Sequence, residues 1–154
     1  MSPISMSMRQ ALLVLAFYLT LPGNAQNVFP EVFKGCVTDH FALESDTATA
    51  KQDAIAFVAL LKQELGDKTI AGLRGTLKFQ IIVDLDGSSC LLSVENLTGR
   101  KTSKLKLKEF VDNKVKWDRP YQKVAALIVL EFTEQGIGYR RLGNNGKRGW
   151  HYLN

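Results

Sequence analysis

With 154 residues and 45% apolar content, the chain can build one domain of ordinary core size plus a short appended element, and two full domains are excluded. A net charge of +5 and a pI near 9.3 favour anionic surroundings such as nucleic acid, a phospholipid face or an acidic envelope polymer. Charge of this size speaks to association and not to fold.

Residues 1–25 read as a cleavable export signal. Arg9 supplies a positive start, Ala11 to Leu21 is an apolar run, and Pro22-Gly23-Asn24-Ala25 ends in the small residues a signal peptidase accepts, placing cleavage between Ala25 and Gln26. The competing reading, an uncleaved anchor, needs about 20 apolar residues, and this run is roughly half that. The expectation is an exported chain, periplasmic or secreted, with no stable membrane anchor after cleavage.

Residues 26–66 form an N-terminal arm and a helix. The arm holds Phe29, Pro30, Phe33, Gly35 and Phe41 without periodicity, so it is expected to lay its aromatics irregularly on the main domain. Ser45, Asp46 and Thr47 are cap candidates for a helix over Ala48 to Leu65, where Ile55, Val58, Ala59, Lys62 and Leu65 share helical spacing; Gly66 stops it. Such an amphipathic helix is expected to serve the core.

The main domain is expected over residues 67–142. In Gly75 to Asp84, Leu77, Phe79, Ile81 and Val83 alternate with Thr76, Lys78, Gln80 and Asp84, the mark of a half-buried strand. Asp86-Gly87 suits a tight hairpin turn, and Cys90 to Glu95 reads as the returning strand. Ser103 to Lys108 alternates like a strand, yet Leu107, Phe110, Val111 and Val115 follow helical spacing over a longer span, so a helix from Ser103 to Lys116 is expected. Thr102 or Ser103 would cap it, and Pro120 lies beyond its end. Val124 to Phe132 is an apolar strand. Residues 143–154, basic and glycine-bearing, are expected as a flexible tail. The fold class is therefore α+β: a small antiparallel sheet in strand-strand-helix-strand order, preceded by an amphipathic helix.

The run Gly75-Thr-Leu-Lys-Phe-Gln-Ile-Ile-Val-Asp-Leu-Asp-Gly87, the second strand, the helix ending in Lys116-Trp-Asp-Arg-Pro120 and the strand closing on Glu131-Phe132 together resemble the C-terminal domain of TonB energy transducers. Phe33-Lys-Gly-Cys36 ahead of a helix resembles leaders of TonB-like proteins of Bacteroidetes-type bacteria. The chain departs from the family at Asp67-Lys-Thr-Ile-Ala71, where members often carry a Tyr-Pro pair. Four prolines make no rigid periplasmic spacer. The resemblance implies a free-standing, noncatalytic adaptor that binds an extended segment of an outer-membrane transport receptor along a sheet edge. The strand resembling that edge is Val124 to Phe132, with Val124, Ala126, Ile128, Leu130 and Phe132 as its partner-binding residues; strand addition would supply main-chain hydrogen bonds. Alternatively the arm, or a second copy in a homodimer, covers this edge.

Two further surfaces enter. Lys104, Lys108, Lys114, Lys116 and Arg119 form a basic set that is either a solvated helix face or a contact for anionic envelope polymer, with nucleic acid not expected. Cys36 and Cys90, the only two cysteines, either form a disulfide or leave Cys90 as a small core residue with Cys36 loose in the arm. No catalytic residue, cofactor or metal site is expected: His40 and His151 stand at opposite ends of the chain, and Asp84-Leu-Asp-Gly87 lacks the remaining ligands of a calcium loop.

Overall fold

A computed structural model of the chain describes residues 27 to 153, so the expected signal segment and its cleavage point lie outside the described residues. In chain order the elements are β1 (Glu31–Val32), β2 (Ala42–Leu43), α1 (Ala54–Leu65), α2 (Asp67–Ala71), β3 (Gly75–Val83), β4 (Ser89–Asn96), a 3-10 turn (Thr102–Lys104), α3 (Leu107–Lys114), β5 (Val124–Thr133), β6 (Gly136–Asn145) and β7 (Gly149–Tyr152). The class is α+β. The strands form one 7-stranded sheet ordered β1-β4-β3-β5-β6-β7, its neighbours antiparallel, with β2 added in parallel to the start of β5.

Alternation in β3 sends Leu77, Phe79, Ile81 and Val83 to the helical side, all fully buried. Their β5 partners include Leu130 opposite Leu77, Ile128 opposite Phe79 and Ala126 opposite Ile81, so a small residue stands where a large one needs room. Phe57 and Leu61, one turn apart on α1, and Phe110 and Val111 on α3 close this core. Phe57 is its hub, meeting Phe79 (5.9 Å), Phe110 (5.4 Å) and Tyr139 (5.8 Å) edge-on. Burying each such side chain stabilises by about 1.5–3 kcal/mol.

The arm covers part of the opposite face. Phe41, Leu43 and Cys36 pack on Ile82, Leu92 and Ala125, and Cys36 is disulfide-bonded to Cys90 across 54 residues, which settles the two cysteine readings in favour of the bridge. Gln80 and Ser93, a buried cross-strand pair, tie down the arm's start: Val28 N–H donates to Gln80 Oε1 (2.8 Å) and Phe29 N–H to Ser93 Oγ (3.3 Å). Lys123 pins the arm to the β3–β4 hairpin by pairing Asp39 (2.8 Å) and Asp84 (3.3 Å). Its hydrogen bond to Asp39 holds that carboxyl below the usual range, and Lys123 itself is held above its own.

The turn of that hairpin demands glycine. Gly87 sits at φ +82°, and a Cβ there would lie 2.4 Å from the carbonyl oxygen of Trp117, whose N–H donates to Gly87 O (3.2 Å). The segment after α3 is thus docked backbone to backbone on the hairpin.

Several expectations are corrected. The first helix begins at Ala54 because Asp53 is the cap, its Oδ1 accepting from Ile55 (2.8 Å) and Ala56 (3.1 Å); Ser45 instead closes a local turn on Ala48 N–H (3.1 Å). The continuous helix over 103–116 is broken: Lys106 takes a left-handed conformation (φ 47°) between the 3-10 turn and α3. Leu105 and Leu107 are both buried, and two positions apart on one helix they would point nearly opposite ways; the break turns both inward. Residues 143–152 are not a flexible tail but the end of β6 and β7, joined by a turn in which Arg148 N–H donates to Asn145 O (2.8 Å) and Gly149 (φ +74°) supplies the left-handed residue of a bulged hairpin.

Candidate functional site

The expected edge strand is interior. β5 pairs with β3 along Val124 to Phe132 on one side; on the other it pairs with β2 at Val124 and Ala125 and with β6 from Leu127 to Thr133. Val124, Ala126, Ile128, Leu130 and Phe132 are buried, so none of these side chains is presented to a partner. The reason lies in the next residues: Thr133 faces Gly136 across a tight hairpin loop, and the chain returns at once as β6. Of the basic set, Lys104, Lys114, Lys116 and Arg119 are exposed, whereas Lys108 is half-buried and paired with Asp112 (2.6 Å). Asp112 also accepts the Leu91 N–H (2.7 Å), so this ion pair fixes α3 to β4.

The open edge belongs to β6. β7 pairs with it only from Leu142 to Asn145, with one further bond from Leu153 N–H to Arg141 O (3.0 Å). From Gly136 to Arg140 no described strand lies on the outer side. Arg141 O faces outward to Leu153, while Asn144 N–H faces the opposite way, donating to Glu44 O (2.6 Å). Strand alternation therefore turns the amide and carbonyl groups of Ile137 and Tyr139 outward.

Beside this edge runs a groove of about 320 Å³, lined by Ala54, Ile55, Val58, Ala59 and Lys62 of α1 and by Ile137 and Tyr139 of β6. Apart from Lys62 its side chains offer apolar surface, the Tyr139 hydroxyl itself being buried. Ile55 is 83% exposed, so α1 leaves apolar surface unspent on this side. Burial pushes the Tyr139 phenol above its ordinary range, with the nearby Arg141 guanidinium opposing the shift, so the ring stays neutral at physiological pH.

What positions β6 is a buried ion pair absent from the sequence expectations. Glu44, with no exposure, follows β2 and fills the gap on β5 between β2 and β6. Its carboxylate accepts from Leu127 N–H (3.1 Å), Thr49 Oγ1 (2.6 Å), Arg141 Nε (3.1 Å) and Arg141 Nη2. Arg141 Nη2 also donates to Ala50 O (3.0 Å), and the guanidinium lies 5.0 Å from the Trp117 ring centroid. A carboxylate is tolerated at such depth only with partners of this kind. No local pattern betrays a pair 97 residues apart.

Among the described residues, no group of three or more His, Cys, Asp or Glu side chains is placed to hold a metal ion, and no helix is long and apolar enough to cross a membrane. His151 meets Asp46 (3.2 Å), with no nucleophile in the contact. Comparison of the chain with protein-family models, with curated proteins and with solved structures finds no match.

Proposed function

We propose that the protein is a noncatalytic, exported adaptor of TonB-like type that takes an extended segment of a partner protein as an added strand along Gly136 to Arg140 of β6. One juxtaposition carries the reading: outward-facing backbone groups at Ile137 and Tyr139 stand beside the apolar groove under α1. Main-chain hydrogen bonds would supply affinity, and side chains of the added strand that point into the groove would supply selectivity. The resemblance to TonB C-terminal domains makes the plug of an outer-membrane receptor the partner class to try first, at an edge displaced from the one the resemblance indicates.

The test is an Ile137→Pro variant. Its N–H points away from β5, so proline removes no bond of the existing ladder but blocks the lane. Receptors captured from envelope extract at high salt by the parent protein, and crosslinked through a photoreactive residue at position 55, should be lost in Ile137→Pro while the unfolding midpoint is kept. Undiminished capture by a folded Ile137→Pro variant would sink the proposal.

A further inference from the structure

β7 carries a surface of a different kind. Its alternation puts Trp150 and Tyr152 on one face and His151 on the other, where the contact with Asp46 (3.2 Å) holds the strand against the loop after β2. Register sets Asn144 beside Trp150 and Leu142 beside Tyr152 on the same face. Trp150 is 41% and Tyr152 53% exposed, although each is large enough to be worth burying. The Arg140 guanidinium lies 5.0 Å from the Tyr152 ring centroid. Lys147 and Arg148, exposed in the turn that ends this ribbon, make no ion pair among the described residues, and Arg148 borders a recess with Asp46, Asn145, His151 and Tyr152.

We propose that this face of the β6–β7 ribbon binds a carboxylated polysaccharide, with sugar rings lying on Trp150 and Tyr152 and carboxylates drawn to Arg148 and Lys147. Aromatic faces carry negative quadrupole charge and attract the polarised C–H groups of a pyranose. The Asn144 amide, donor and acceptor at once, matches neighbouring hydroxyls. The two aromatic positions are about 6.6 Å apart along the strand, close enough for one extended polymer to contact both. Charge decides against single-stranded nucleic acid, the other polymer that stacks on exposed rings. Glu131 lies 3.7 Å from Arg140 and offsets it, so the cations are confined to the turn and form no continuous track for phosphates. This surface is separate from the groove under α1, and its failure would leave the adaptor proposal standing.

The chain holds two tryptophans, of which Trp117 is buried, so Trp150 is the fluorophore a ligand can reach. The experiment titrates the purified protein with polygalacturonate, and separately with a twelve-base oligothymidylate, following tryptophan emission and confirming affinity by calorimetry. Polygalacturonate should change the emission saturably, and Trp150→Ala should weaken calorimetric binding by about tenfold or more. Arg148→Ala should weaken it less, both variants keeping the parent's unfolding midpoint. The proposal is overturned by absence of binding, by affinity that Trp150→Ala leaves unchanged, or by tighter binding of the oligothymidylate.

Discussion

Replacing Arg141 by leucine should be among the most destabilising single changes available to this chain. It would leave Glu44, which has no exposure, with Thr49 Oγ1 and Leu127 N–H as its remaining donors and no counter-charge. Removing one partner of a buried ion pair costs about 3–5 kcal/mol. The Ala50 carbonyl also loses its donor and the Trp117 ring its cation, each adding about 0.5–1 kcal/mol, so the total is about 4–7 kcal/mol. Domains of this size unfold at about 5–15 kcal/mol, so a large part of the margin would go. The companion is the double variant Glu44→Gln with Arg141→Leu: glutamine keeps an acceptor for Leu127 N–H but buries no charge, and the combined loss should fall to about 1–3 kcal/mol. Urea unfolding followed by far-ultraviolet circular dichroism reads both, provided the slope with denaturant stays that of the parent. The reasoning fails if Arg141→Leu costs under about 1 kcal/mol, or if the double variant costs as much as the two single changes added together.

Gly87→Ala should destabilise by more than the roughly 1–2 kcal/mol of a left-handed alanine, because the new methyl would also meet the Trp117 carbonyl at 2.4 Å; a loss within that range in urea unfolding would show that the docked segment yields freely. Cys36→Ser with Cys90→Ser opens a loop of 54 residues and should lower stability by about 4 kcal/mol in the chain-entropy model. Amide exchange in β3 and β5 should then quicken by the global loss alone, and exchange in β1 and across the bonds from Val28 and Phe29 to Gln80 and Ser93 should quicken at lower denaturant and ahead of it; arm amides that quicken only together with β3 and β5 would refute the view that the bridge serves the arm.

How far the fold can be read from its residues depends on how local each signal is. β3 is legible because Leu77, Phe79, Ile81 and Val83 alternate and Gly87 closes a turn that only glycine fits. The end of α1 is legible in Gly66, whose N–H donates to Lys62 O (2.8 Å) at φ +76°; its start is not, because Ser45 and Thr47 are cap-type residues as Asp53 is, and Ser45 spends its hydroxyl on a local turn at Ala48 instead. Lys106 shows a conflict between two patterns that were each partly right. Alternation demanded that Leu105 and Leu107 face the same way, helical spacing demanded Phe110 and Val111, and the chain satisfies both by breaking between them.

The misplacement of the edge is more instructive, since a usable signal was present. Val124 to Leu130 is an unbroken apolar run, buried on both faces of the sheet, and a half-solvated strand would alternate instead. A long apolar strand with charges only near its ends is also the kind of edge that soluble proteins avoid. β6 has the opposite character: Gly136 and Gly138 interrupt it, Arg140 is exposed, and Arg141 spends its charge on Glu44. Those features leave little strand alternation for the sequence to show. They are equally what keeps an unpaired strand from joining the wrong neighbour, so the weakness of the pattern at Gly136 to Arg140 and the openness of that edge have one physical cause.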